Sequence, residues 1–244
     1  PKPLPKDIPL SKAFVDTKAK AEQGDALSQY NLGVLLHYGQ GVKKDEGESF
    51  KWILKAAKQG HPRSQSWIGD YYHGGIGEIV KDNKKALEWY TKAAKGADAW
   101  GQYGLAFMYR NGEGGDQNDE KAVEWFTKAA LQNFAAAQFN LGWMYHAGRG
   151  VKKDDRKAAE WFTKAAEKGD ASGQHWLGFM YFHGNGIGKD LVKCLGWWTL
   201  AAKQGHTGAI AQKPKAETKM SLEEIAKAEA LAKELQKQIE AKKK

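Results

Sequence analysis

Seven histidines, a single cysteine and a series of glycine-rich turns are the residues of this 244-residue chain that could do chemistry. His37, His73 and His146 recur at one position of a repeated segment, and His183 stands one residue further along. Imidazole is a common metal ligand, so a regular array of it invites a metal reading. Stacking argues against that reading. Neighbouring helices lie on the order of 10 Å apart, and successive histidines cannot readily converge on one ion. Each of these histidines also ends a helical stretch, where a cation suits the helix dipole. His61 and His206 follow a glycine at the start of a stretch and read as caps. Cys194 has no second cysteine, so it makes neither an intramolecular disulfide nor a cysteine-based zinc site. A small packed residue is its expected role. No metal and no cofactor are expected.

Catalytic constellations are absent from the sequence. There is no GxSxG, no GxxxxGK[ST] and no HExxH. The glycine-rich turns superficially suggest phosphate cradles, but they lead into an aspartate whose charge would repel phosphate. The net charge of +9 suggests nucleic acid until its distribution is read. Residues 1–20 hold five Lys and two Asp, and residues 213–244 hold nine Lys and six Glu. The 192 residues between hold 24 Lys/Arg against 21 Asp/Glu, so the excess sits at the two ends. A nucleic-acid groove would gather charge on one face. No apolar run approaches the ~20 residues of a membrane span.

The elements that must position these side chains repeat. A Trp is followed four residues on by Ala-Ala at Trp52, Trp89, Trp125, Trp161 and Trp197, in steps of 37, 36, 36 and 36. A Gln is followed three residues on by an aliphatic residue at Gln29, Gln65, Gln102, Gln138 and Gln174, in steps of 36, 37, 36 and 36. Two markers with one period over five copies define a tandem repeat. Each copy holds two helical stretches. The first runs Ala26–Tyr38 in copy one and carries a small residue (Gly33, Gly69, Ala106, Gly142, Gly178) that lets a neighbour approach. A glycine turn follows and ends on a capping residue: Asp45, Asp82, Asn118, Asp154 or Asp190. The second stretch carries Trp and Ala-Ala on its expected core face and stops at Gly60, Gly96, Asn133, Gly169 or Gly205. Such short helices cannot bury an apolar face alone, but stacked copies can.

The pattern Ala-x-x-Gln-x-x-Leu-Gly-x-x-Tyr, a GxGV turn with Asp, then Lys-Ala-x-x-Trp-x-x-x-Ala-Ala-x-x-Gly resembles the Sel-one-like repeat family, relatives of tetratricopeptide repeats. AQFNLGWMYHAGRGVKKDDRKAAEWFTKAAEKG, residues 137–169, carries it most fully. Copy three departs with Ala106 and a GGDQN turn, and copy two has one extra turn residue. The resemblance covers roughly residues 20–210. It implies an all-α fold, an α/α right-handed superhelical solenoid of about five helix–turn–helix repeats with N- and C-terminal capping helices. The expected organisation is an extended lead-in over 1–10 and one solenoid over 11–244. Within it stand a capping helix 11–22, repeats at about 25–60, 61–96, 97–133, 134–169 and 170–205, and a C-terminal cap over 206–244. In that cap a helix starting at His206 is expected to break near Pro214. A capping box at Ser221–Glu224 then opens a final helix with apolar Leu222, Ile225, Ala228, Ala232, Leu235 and Ile239.

The resemblance also implies a non-catalytic scaffold that binds another protein. Family members include adaptors, exported virulence-linked proteins and immunity proteins that neutralise secreted phospholipase effectors, so a secreted toxic effector is one expected partner. In tetratricopeptide-like stacks the first helices line the concave face. Positions one, five and eight after the repeated Gln then face the groove, where packing does not by itself demand aromatics. The expected contact residues are Tyr30, His37, Asp70, Tyr103, Phe107, Arg110, Phe139, Trp143, His146, Phe179 and Phe182. Buried aromatics and Arg are the usual anchors of interfaces. The free chain is expected to be a monomer or weak dimer, and the Pro/Lys-rich start favours a periplasmic or exported location over a cytoplasmic one. The alternatives are an enzyme or small-molecule binder, such as the β-lactam-binding relatives whose cysteine framework is missing here, and an electrostatic binder of nucleic acid or membrane through the basic ends.

Overall fold

A computed structural model describes residues 12–242, so the expected lead-in over 1–10 lies outside the described residues. The described residues form thirteen helices and no strand: α1 (Lys12–Glu22), α2 (Ala26–Tyr38), α3 (Glu46–Lys58), α4 (Pro62–Gly74), α5 (Asn83–Lys95), α6 (Ala99–Asn111), α7 (Asp119–Leu131), α8 (Ala135–Ala147), α9 (Asp155–Glu167), α10 (Ala171–His183), α11 (Leu191–Lys203), α12 (Thr207–Glu217) and α13 (Leu222–Ala241). Contacts divide the chain into two compact units between Asn118 and Asp119. The first holds α1–α6 and the second α7–α13. The division falls inside the third sequence repeat, between its two helices. Within each unit most consecutive helices pack on one another, the pairing of an α/α solenoid.

Local chemistry explains the periodic markers. Four of the five second helices begin at an aspartate that accepts a backbone N–H three residues on: Asp45 from Glu48, Asp82 from Lys85, Asp154 from Lys157 and Asp190 from Lys193, at 2.9–3.0 Å. First helices are capped by Asp25, Asp98 and Asp170, and also by the imidazoles His61 and His206, which accept from Ser64 and Ala209 at 3.2 Å. The repeated Gln reaches back eight residues to the last turn of the preceding helix. Gln29 Nε2 donates to Ala21 O at 3.1 Å, Gln65 to Ala57 O at 3.2 Å and Gln138 to Ala130 O at 3.1 Å. It adds a side-chain donor to a last-turn carbonyl that also accepts the backbone N–H of Gly24, Gly60 or Asn133.

The repeated Trp is not the core residue. Trp52, Trp89, Trp125 and Trp161 are only partly buried, each beneath a lysine ammonium three residues on: Lys55, Lys92, Lys128 and Lys164, at 3.8–4.3 Å from the ring centre. The core position is the next residue: Ile53, Tyr90, Phe126, Phe162 and Trp198 are buried. Four of these press against the small residue of a first helix. A Cβ on Gly69 would lie 2.6 Å from the Tyr90 ring and one on Gly142 2.8 Å from the Phe162 ring; Gly33 faces Ile53, and Gly178 faces Trp198. Trp197 is the buried exception among the repeated tryptophans. Leu200 replaces the lysine there, and both join a cluster with Ala232 and Ile239 of α13.

The C-terminal region departs from expectation in two places. α12 continues through Pro214 to Glu217, and the chain turns at Thr218–Met220. The capping box at Ser221 and Glu224 then starts α13 as expected. Leu222 is 87% exposed, so it does not belong to the docking face carried by Ala228, Ala232 and Ile239. Just past α13, Lys242 pairs with Glu167 of α9 at 3.0 Å. α5 stops at Gly96 as expected, but the left-handed residue that follows differs. The left-handed residue is Ala97 (φ 60), not Gly96, because the extra residue in the preceding turn moves every later position by one.

Candidate functional site

In the first unit, α4 and α6 lie side by side and present Asp70 between aromatic rings. Asp70 Oδ1 accepts the Tyr90 hydroxyl at 2.5 Å, and the Trp100 indole N–H is shared between Oδ1 (3.0 Å) and Oδ2 (2.9 Å). Burial raises the Asp70 pKa above the ordinary carboxylate value. The Tyr90 and Trp100 hydrogen bonds, and the charges of Arg63 and His73, pull the other way. Burial and the neighbouring carboxylate raise the Tyr90 pKa, so the phenol keeps its proton and remains the donor.

Two adjoining hollows share Asp70 and Trp100. One, of about 200 Å³, is lined by Asp70, His73, Tyr90, Trp100, Tyr103, Gly104, Phe107 and Met108. The other, of about 290 Å³, is lined by His37, Tyr38, Arg63, Trp67, Asp70, Tyr71, Ile76 and Trp100. Of the expected contact residues, Asp70, Tyr103 and Phe107 therefore meet around one hollow, and His37 and Asp70 around the other. Tyr30 packs on His61 and Trp67 with ring centres 5.1 and 6.3 Å apart. Arg110 lies over Phe107 at 4.9 Å.

In the second unit the same positions form a packed ladder. Phe139 rests 6.0 Å from Phe162, and Trp143 lies beneath Arg149 at 5.5 Å. His146 bonds Asp155 at 2.6 Å and faces Trp176 at 5.3 Å. Phe179 lies 5.2 Å from Trp176 and 4.3 Å from His183. Phe182 stacks on Trp198 at 5.4 Å under Lys219. Phe139, Trp143 and Phe179 also pack on a buried cluster, so in this unit packing does ask for aromatics at these positions. Phe179 and Phe182 border a third hollow, of about 280 Å³, with His183, Trp198, Gln212 and Lys215.

Trp67 and Trp100 line the hollows and Trp176 packs on His146, Phe162 and Phe179, and none of the three is at a groove position. They sit two residues after or before the repeated Gln, and Trp67 and Trp176 share one repeat position. That shared position was the available signal. The histidines have local duties. His73 Nε2 bonds Glu113 at 2.7 Å, and His37 Nδ1 meets the Tyr71 hydroxyl at 3.3 Å. Among the described residues no three His, Cys, Asp or Glu side chains are grouped to hold a metal ion, and no helix is long and apolar enough to cross a membrane. The Ser49–Tyr71–His37 chain has the residue types of a catalytic relay. Ser49 is fully buried and donates to Gly33 O at 2.7 Å, so its oxygen faces backbone rather than substrate. Cys194 is buried, which pushes its thiol pKa up to about 12 and leaves it unreactive.

The Sel1 repeat family profile matches residues 26–61, 62–98, 101–134, 135–170 and 171–206. The chain belongs to the Sel1 repeat family, whose members are generally non-catalytic scaffolds that bind other proteins. Among solved structures it is similar to c5321, a protective antigen of uropathogenic Escherichia coli with an SLR fold. That likeness has a TM-score of 0.87 and 33% identity, covering 93% of this chain and 49% of that one. A Sel1 repeat protein from Oxalobacter formigenes matches with a TM-score of 0.74 and 31% identity, covering 82% of this chain and 85% of that one. The immunity protein PA5087 of Pseudomonas aeruginosa, at 19% identity and a TM-score of 0.50, covering 93% of this chain and 83% of that one, shares the fold. Among curated proteins, HRD3B of Arabidopsis thaliana, an ERAD-associated E3 ubiquitin-protein ligase component, is 31% identical over 96 residues, 39% of this chain and 15% of that protein. The chitin synthase regulator SKT5 of Saccharomyces cerevisiae is 36% identical over 80 residues, 32% of this chain and 11% of that protein. The chain thus spans only a small part of the curated relatives it matches.

Proposed function

We propose that this chain is a non-catalytic scaffold that grips a partner protein with the outward face of its first helices, chiefly α4 and α6. One observation carries the reading: two adjoining hollows on that face are walled by aromatic rings and share a partly exposed carboxylate. Rings and a charge set in concave surface are what an interface anchor needs. The family supports a protein partner, and the hollows support this face.

The test begins with a partner captured by the tagged chain and identified by mass spectrometry. Its affinity is then measured against Phe107→Ala. We expect at least a tenfold loss, about 1.4 kcal/mol, with helical content and melting temperature near wild type. Unchanged affinity would remove α6 from the interface. The narrower expectation of an immunity protein is tested by growth. Co-expression should rescue cells from a toxic product encoded beside the gene, and the absence of rescue would discard the toxin reading while leaving the scaffold reading intact.

A further inference from the structure

The hollow between α4 and α6 has a feature that protein binding alone does not require. Its carboxylate receives hydrogen bonds only from neutral donors, Tyr90 and Trp100, among the described residues. A carboxylate offers about four acceptor sites, so capacity remains. The nearby cations are held elsewhere. Arg63 lies 3.6 Å from Asp98, and His73 is bonded to Glu113 at 2.7 Å. Arg110 lies over the Phe107 ring. The charge of Asp70 is therefore left without an ion-pair partner, and a second carboxylate, Glu113, stands close by on His73.

We propose that this hollow is a receptor for one lysine side chain of the partner protein, its ammonium on Asp70 and its methylene stem between Trp100, Tyr103 and Phe107. Three arguments select that occupant. The volume of about 200 Å³ falls below the ~300–1,000 Å³ of sites for drug-sized ligands, and suits one long side chain. The ring faces attract a cation, and the Arg63 guanidinium already sits 5.7 Å from the Trp100 ring centre on the other side of the shared wall. Because the Trp100 N–H straddles both carboxylate oxygens, the paired approach of a guanidinium fork is obstructed. A compact ammonium needs only one free lone pair. Burial of Asp70 strengthens the preference, since a charge held in low dielectric gains more from a partner.

The inference rests on the reading that a partner docks on this face, yet it can fail alone. The test uses the whole ¹⁵N-labelled protein, with the Trp100 indole N–H resonance as reporter. Three probes are titrated: the blocked peptide Gly-Lys-Gly, the same peptide with norleucine for lysine, and tetramethylammonium chloride. The lysine peptide should shift the Trp100 signal saturably and bind about tenfold more tightly than the norleucine peptide. Asp70→Asn should abolish that difference. Equal shifts from lysine and norleucine would mean a merely apolar hollow and would overturn the proposal without touching the scaffold reading. A response to tetramethylammonium but not to the lysine peptide would assign the hollow to a small free cation and overturn it too. A shift that grows with protein concentration alone would assign it to a second copy of the chain, again against it. The lysine–norleucine contrast on the wild-type protein decides the matter even if Asp70→Asn does not fold. Conversely, lysine selectivity combined with partner binding that ignores Phe107→Ala would sink the proposed interface and leave the lysine site standing.

Discussion

At the fifth position after the repeated Gln, α4 carries Asp70, while α8 and α10 carry Trp143 and Phe179. In the first unit the short acid leaves hollows beside it and gathers hydrogen bonds from Tyr90 and Trp100. In the second unit the ring of Phe179 packs on Trp176 and His183, and the hollow it borders lies towards α12, with Gln212 and Lys215. At the first position after the repeated Gln, Tyr103 of α6 lines a cavity, whereas His175 of α10 is buried and stacked 4.4 Å from His206, the cap of α12. The repeat backbone is the same. Whether its face is open for a partner or consumed by the protein's own packing depends on single side chains and on whether another helix covers it.

The largest expected effect tests that contrast on the other side of the repeat. Trp197→Ala removes a ring buried under α13 and should cost about 3–5 kcal/mol, the usual penalty for emptying an aromatic core position. Trp89→Ala removes an equivalent but partly exposed ring under Lys92 and should cost about 1–2 kcal/mol. Urea unfolding of both variants measures the difference. Equal losses would mean that α13 does not change the status of the repeated Trp.

That contrast also shows what was legible beforehand. The helices, their aspartate caps and the capping box of α13 follow from side-chain spacing because each depends on contacts three or four residues apart. The burial of the repeated Trp did not follow. Trp52 lies four residues before Ala56, and Ile53 lies four before Ala57, so both fit one apolar arc. The lysine three residues after Trp52 was the discriminating mark, and Leu200 in its place announced the covered copy. Asp70 was legible as an outward acid. Its hydrogen bonds were not, because Tyr90 and Trp100 reach it from other helices, 20 and 30 residues away.

A middle-sized effect separates the units by pH. Burial pushes the His175 pKa down to about 4, with the charge of His206 adding to the shift, against about 6.5 in an unfolded chain. Above pH 6.5 both states hold a neutral ring and nothing changes. As pH falls from about 6.5 to about 4 the unfolded chain takes up the proton first, so stability is lost across that window, up to about 2–3 kcal/mol. His175→Phe, which copies Phe139 at the same repeat position, should remove this loss. Comparing the two proteins at pH 7 and pH 4.5 cancels the opposite contribution of Asp170, whose pKa burial raises. Parallel acid destabilisation of both would show that the His175–His206 contact does not sense pH.

The smallest effect concerns the junction between α5 and α6, beside the open face. Gly60, Gly169 and Gly205 end their second helices in the left-handed region at φ 90, 87 and 82, and Asn133 does so at φ 63. Ala97 stands at the equivalent place with φ 60. A Cβ there costs roughly 1–2 kcal/mol, while glycine loses more backbone freedom on folding, by roughly 0.5–1 kcal/mol. The balance favours Ala97→Gly by about 0.5–1 kcal/mol, read as a raised urea midpoint with an unchanged slope. A gain of that sign would show that the inserted turn residue of copy two left strain where the chain enters α6. No gain, or a loss, would mean that the junction has relaxed around alanine and that copy two differs from the others only in its turn.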